Sequence, residues 1–127
     1  MADVLVIEDN KTLNQAYRLI LQREGHDVRV AYNGQEGLEL VKLAEPSLIL
    51  LDMLMPIMNG VDFLKHFKAA EHPNTKVIIL SNLNEDSEVQ QALALGADKY
   101  ILKASTSPQE LIEHVTAATG GKTTTTA

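Results

Sequence analysis

Four short stretches of the chain are apolar without interruption: Val4-Leu5-Val6-Ile7, Leu48-Ile49-Leu50-Leu51, Val77-Ile78-Ile79-Leu80 and Tyr100-Ile101-Leu102. None alternates polar with apolar positions. Each therefore predicts a strand covered on both faces, as in a parallel sheet between helical layers. Val28-Arg29-Val30-Ala31 predicts a fifth, weaker strand, and its alternating Arg29 suits an edge. Helical spacing fills the intervals. Leu13, Tyr17, Ile20 and Leu21 follow Asn10, a favourable N-cap, and Gly25 supplies the C-terminal stop. Leu38, Val41, Leu43 and Ala44 mark the inner face of a second helix that Pro46 ends, and Val61, Leu64 and Phe67 that of a third. Val89, Ala92, Leu93 and Leu95 mark a fourth, stopped by Gly96. Ser107 before Pro108 opens a fifth carrying Leu111, Ile112 and Val115. The alternation βαβαβαβαβα predicts an α/β fold, a parallel sheet with helices on both faces.

Composition narrows the function. The chain has 127 residues, which suits one domain. It has no cysteine, so disulfides, thiolate metal sites and cysteine nucleophiles are excluded. Its net charge of −6 argues against direct binding of nucleic acid or of an anionic membrane. The apolar runs fall far short of the ~20 residues a membrane helix needs. Met1-Ala2-Asp3-Val4 resembles no secretory leader, so a cytoplasmic location is expected. Gly120-Gly121-Lys122, four threonines and Ala127 have nothing to bury, so 1–119 reads as the domain and 120–127 as a disordered tail or linker stub.

In a parallel α/β sheet, ligands bind beyond the carboxyl ends of the strands. Those ends carry Glu8-Asp9, Asp52, Ser81-Asn82 and Lys103. Three carboxylates on one rim repel one another unless a cation is present, and a hard divalent ion such as Mg²⁺ suits oxygen ligands. A lysine opposite them can pair with an incoming anion, and a serine hydroxyl can contact the same anion. Metal, carboxylate nucleophile, ammonium and hydroxyl together point to phosphoryl transfer. Asp52 closes the most apolar run and is the expected acceptor. After it, Pro56 sets a turn, and Asn59-Gly60 offers a place for positive φ before the third helix. Met53, Met55 and Met58 read as loop and core packing.

The ordered set Glu8-Asp9, Asp52-x-x-x-Pro56-x-x-x-Gly60, Ser81, Tyr100 and Lys103 resembles the receiver domain of two-component response regulators, over roughly residues 3–119. The resemblance implies a flavodoxin-like (βα)5 fold with strand order 2-1-3-4-5; a receiver is a stock example of that order. It implies that Asp52 accepts a phosphoryl group from a phosphohistidine on a histidine kinase or phosphotransfer protein. Asp9 and Asp52 would ligate Mg²⁺ directly, Glu8 through water, and Leu54 through its backbone carbonyl. Ser81 and Lys103 would bind phosphate oxygens. Tyr100 would switch rotamer with Ser81, and the face of helix four, strand five and helix five would change its affinity for a downstream effector. Dimerisation on phosphorylation is one form that output takes.

The chain departs from the family at three places. Ala104 follows Lys103 where the family has proline, so a trans or strained bond is expected, with a longer loop beyond it. Asn82 is larger than the usual residue after the hydroxyl. Leu54 and Leu83 are apolar where the family tunes phosphoryl hydrolysis, which predicts a long-lived phosphorylated state. The leading expectation is a phosphorelay signalling receiver, stand-alone or cut from a longer regulator, that catalyses only its own phosphorylation and dephosphorylation. The alternative is a Mg²⁺-dependent aspartyl-phosphate phosphohydrolase, which would need a second aspartate where Leu54 stands. A flavodoxin-like cofactor binder lacks its phosphate loop after the first strand. A docking module without phosphorylation fits poorly with Asp9, Asp52 and Lys103 all present.

Overall fold

A computed structural model describes residues 2–82 and 86–120. Leu83 and the tail beyond Gly120 lie outside the described residues. Five strands, β1 (Asp3–Ile7), β2 (Asp27–Ala31), β3 (Leu48–Asp52), β4 (Lys76–Ser81) and β5 (Lys99–Leu102), alternate with α1 (Lys11–Arg23), α2 (Gly34–Leu43), α3 (Gly60–Phe67), α4 (Asp86–Ala94) and α5 (Pro108–Ala118). A short 3-10 turn at Ala69–Glu71, not expected from the pattern, links α3 to β4. All pairings are parallel and the order is β2-β1-β3-β4-β5. The flavodoxin-like order implied by the resemblance is the order found, and the Arg29 strand lies at an edge.

Alternate residues of the buried strands feed two cores. Leu5, Ile7, Ile49, Leu51, Val77 and Ile79 pack on one face with Val41, Phe63, Phe67 and Val89 of α2, α3 and α4. Val4, Val6, Leu48, Leu50, Ile78 and Leu80 pack on the other with Leu21, Leu111 and Val115 of α1 and α5. Apolar side chains on both faces are what make these strands read as unbroken apolar runs.

Helix starts are set by side-chain caps. Asn10 accepts from the Leu13 amide, Asn33 from Glu36, Asn59 from Asp62 and Ser107 from Glu110, each at about one turn's reach. Ser107 and Glu110 complete a reciprocal capping box. Gly25 and Gly96 take positive φ just past α1 and α4, as the sequence indicated. Two expectations fail. Leu43 is 80 % exposed and Ala44 is exposed too. At ~100° per residue Leu43 lies about 200° around the helix from buried Val41, and Ala44 is already the C-cap. Positive φ in the β3–α3 loop falls on Ile57, at 69°, and not on Asn59-Gly60. Asn59 is an extended N-cap. Gly60 is required by close approach, since a Cβ there would lie 2.6 Å from the Asp52 carbonyl oxygen.

Candidate phosphoacceptor site

The carboxyl ends of β1, β3, β4 and β5 meet at one cleft of about 530 Å³, bordered by Glu8, Asp9, Asp52, Leu54 and Lys103. Glu8 and Asp52 are almost wholly buried, whereas Asp9 is exposed. Carboxylate oxygens of all three lie within 4.8 Å of one another. The Lys103 ammonium reaches into the group, 2.9 Å from Glu8 Oε1 and 2.8 Å from Asp52 Oδ1. Ser81 closes β4, and its buried Oγ has no hydrogen-bond partner among the described residues. Such an orphaned hydroxyl, at the end of the strand whose next residue, Asn82, lines the cleft, can donate to a ligand oxygen. Asn82 is exposed at the same strand end.

Backbone and side-chain bonds fix this geometry. The Glu8 amide donates to the Ala31 carbonyl, and Glu8 Oε2 accepts from the Asn10 amide at 3.1 Å. Asn14 Nδ2 donates to the carbonyls of both Glu8 (2.9 Å) and Ala31 (3.0 Å), tying α1 to the ends of β1 and β2. Sequence reasoning missed Asn14. The available signal was a lone amide on the buried stripe it shares with Tyr17 and Leu21 of α1. Asp52 Oδ1 also lies 3.4 Å from the Leu54 amide. Lys103 is anchored by its own amide, which donates to the Ser81 carbonyl at 2.9 Å. The Lys103–Ala104 bond is trans. The chain turns at once beyond it: the Ser105 amide and Thr106 Oγ1 both bond the Leu102 carbonyl. With Ala104 in place, the Lys103 ammonium still reaches Glu8 and Asp52.

The electrostatics follow from burial. Desolvation pushes Asp52 up to about 7 from an ordinary 3.8; Glu8 adds to the rise, while Lys103 opposes it. Burial alone would lower Lys103, but hydrogen bonds to Asp52 and Glu8 and their charges outweigh it and hold the ammonium above its ordinary value. Tyr17, half-buried behind the site, is raised by burial and then by the charge of Glu8. The cluster therefore carries more negative charge than one lysine offsets. Its donors are all oxygen, which fits a hard divalent cation such as Mg²⁺.

The family model for the response regulator receiver domain matches residues 4–116. The chain belongs to this family. Among curated relatives, this receiver is 34% identical over 103 residues to the transcriptional regulatory protein AfsQ1 of Streptomyces coelicolor, covering 81% of the chain and 45% of AfsQ1. It is 32% identical over 115 residues to the transcriptional regulatory protein SrrA of Staphylococcus aureus, covering 91% of the chain and 46% of SrrA. The chain thus spans about half the length of the curated relatives it matches. The solved receiver domain of Francisella response regulator 1452 superposes with a TM-score of 0.83 at 32% identity, covering 94% of this chain and 98% of that one. NtrX of Brucella abortus superposes with a TM-score of 0.85 at 26% identity, covering 94% of this receiver and 27% of NtrX. Receivers of this family are signalling modules of two-component systems. Among the described residues no helix is long and apolar enough to cross a membrane.

Proposed function

We propose that this receiver accepts a phosphoryl group on Asp52 from a phosphohistidine of a histidine kinase or phosphotransfer protein. The observation that carries the proposal is the meeting of Asp52, Lys103, Glu8 and Asp9 with an orphaned Ser81 hydroxyl at one set of strand ends. An Asp52 carboxylate oxygen forms the new bond to phosphorus as the imidazole N–P bond breaks, and the departing nitrogen keeps the electron pair. Lys103, already in contact with Asp52, pairs with an equatorial oxygen, and Ser81 Oγ donates to another. Glu8, Asp9, Asp52 and the Leu54 carbonyl would hold Mg²⁺. Bound there, the ion neutralises charge on the transferring group. Leu54, second after Asp52, offers no acid or base, so turnover of external substrates is not part of the proposal.

Output follows from the same groups. The aspartyl phosphate adds about −1.5 to −2 charges and strong acceptors. Ser81 moves toward them, and Tyr100, exposed on edge strand β5, follows it. The α4–β5–α5 face then changes its affinity for an effector protein or domain in the cytoplasm, by a coupling of about 1–3 kcal/mol. Leu54, which borders the cleft, offers an attacking water no polar side chain, and Leu83 is apolar by residue type, so the modified state is expected to be long-lived.

Intact mass after incubation with phosphoramidate and Mg²⁺ tests the acceptor. One phosphoryl mass is expected, absent in Asp52→Asn and suppressed by a chelator; equal labelling of the variant overturns the assignment. An amide chemical-shift map with beryllofluoride tests the switch. Shifts are expected across 86–115, and confinement to the neighbourhood of Glu8, Asp9 and Asp52 rules it out.

A further inference from the structure

Two residues of α1 are fully buried, Leu21 and Asn14, and an amide is a costly group to place there. Asn14 Nδ2 donates twice to backbone, to the Glu8 carbonyl at 2.9 Å and to the Ala31 carbonyl at 3.0 Å. Both of its hydrogens are then used. Asn14 Oδ1 is left buried with no hydrogen-bond partner among the described residues. Turning the amide over would set Oδ1 against the two carbonyl oxygens, so no orientation satisfies the whole group. A leucine would fill the same stripe without an orphaned oxygen. The chain therefore loses stability at Oδ1, and what it obtains in return is a hold on two strand ends.

That hold acts on the turn that carries two of the three carboxylates. The Glu8 amide donates to the Ala31 carbonyl at 3.0 Å, and the Asn10 amide donates to Glu8 Oε2 at 3.1 Å. Asn14 adds a restraint from the helix side, and its own amide donates to the Asn10 carbonyl at 2.9 Å. Exposed Asp9 lies between these tethers, so its placement follows the backbone they fix. The carboxylate oxygens of Glu8, Asp9 and Asp52 stand within 4.8 Å of one another. Like charges at that distance repel, and without a cation the repulsion acts to open the turn.

We propose that Asn14 is a positioning residue for divalent-cation binding, clamping the carbonyls of Glu8 and Ala31 so that the Glu8-Asp9 turn stays in the arrangement that receives Mg²⁺. The inference rests on the reading of the cleft as a Mg²⁺-dependent phosphoacceptor site. Asn14 acts through the backbone of Glu8 and contacts neither ion nor phosphoryl group. Its effect is on affinity for the metal, and not on the transfer step once the metal is bound.

The test compares wild type with Asn14→Leu, which removes both donors and the orphaned oxygen at similar volume. Thr75→Val is the control. It removes the buried hydrogen bond from Thr75 Oγ1 to the Pro46 carbonyl, at the opposite ends of the strands. Mg²⁺ affinity is read from the amide chemical shifts of residues 8–10 during titration. Labelling by phosphoramidate is followed by intact mass at limiting and at saturating Mg²⁺. In Asn14→Leu the Mg²⁺ dissociation constant is expected to rise about tenfold, the usual effect of losing a group that orients a metal ligand. Labelling of this variant slows at limiting Mg²⁺ and returns to the wild-type rate at saturation. Thr75→Val melts at a lower temperature but binds Mg²⁺ as wild type does. Unchanged Mg²⁺ affinity in Asn14→Leu overturns the inference. So does equal weakening in Thr75→Val, because general loosening then accounts for the loss, and so does slow labelling that saturating Mg²⁺ fails to restore. Should Asn14→Leu not fold, Asn14→Met is read in the same way, and failure of both assigns Asn14 to the fold alone and overturns the positioning role. Wild type that binds no Mg²⁺, or that phosphoramidate fails to label, refutes the reading of the cleft itself, which is a separate outcome.

Discussion

All five strands begin at one edge of the sheet and end at the other, and the two edges treat polar groups in opposite ways. At the amino edge nearly every buried polar group is matched. Thr75 Oγ1 donates to the Pro46 carbonyl at 2.6 Å, and Asp98 Oδ2 accepts from the Val77 amide at 2.7 Å. The Ala2 amide donates to His26 Nδ1 at 3.0 Å. Arg29 pairs with Asp3 and spends its remaining donors on the carbonyls of Leu40 and Ala44, closing the end of α2. At the carboxyl edge three carboxylates crowd within 4.8 Å, and the Ser81 hydroxyl has no partner among the described residues. One edge holds the strands in register. The other leaves like charges crowded and a hydroxyl unpaired, at a cost in stability that a well-matched edge can bear.

Substitutions at the two edges should therefore move stability in opposite directions. The largest effect is expected at the amino edge. Asp98→Ala removes the acceptor of the Val77 amide at the start of β4, a loss of about 2 kcal/mol. That corresponds to a fall in Tm of roughly 8 °C for a domain this size. Calorimetry checks it, and a change below about 2 °C would mean that the amino edge is not the better-matched one.

Asp52→Asn should act in the other direction. Because folded Asp52 lies at about 7 against an ordinary 3.8, the folded protein holds a proton that the unfolded chain has lost in that window. Stability therefore falls as pH rises from about 3.8 to about 7, and the penalty is complete above it. The asparagine carries no charge, so at pH 8 the variant should be more stable by roughly 1–2 kcal/mol, with the gain vanishing near pH 4. Denaturant titrations at the two pH values read this; a gain that is the same at both would remove the electrostatic cause.

Mg²⁺, if held at the crowded edge as proposed, is expected to sharpen the contrast by offsetting its charge. At ten times its dissociation constant it should stabilise wild type by about 1.4 kcal/mol, and Asp52→Asn by clearly less. Thermal shift with Mg²⁺ against a matched monovalent salt checks it.

The smallest effect belongs to His26, the titratable group of the amino edge whose value burial lowers. Its folded value lies below the unfolded one, so it contributes stability that is present above the ordinary 6.5 and is lost as pH falls through the folded value. His26→Gln should flatten the acid limb of the stability curve slightly while leaving the behaviour at pH 8 unchanged.

Most of the architecture could be read along the chain. The apolar runs marked β1, β3, β4 and β5 because burial on both faces leaves no polar position to disguise a strand, and Arg29 placed β2 at an edge for the converse reason. Caps at Asn10, Ser107, Gly25 and Gly96 are local, each acting within a turn of its own residue. The acidic pair, Asp52, Ser81 and Lys103 were legible because parallel topology sends every strand end to one rim. What the chain did not reveal depends on distance in space. Asn14 spans the carbonyls of two strands, and Gly60 is a glycine because the Asp52 carbonyl passes beside it. The pattern gave Leu43 an inner face that the end of α2 denies it. Positive φ fell on Ile57, where no propensity would place it. Packing decides these cases, since the energy of one residue's conformation is set there by atoms many positions away. The buried ion pairs of Lys103 belong to the same class: residue types named the groups, but only the folded sheet brought the ammonium within 3 Å of both carboxylates and made their shared charge a chemical property.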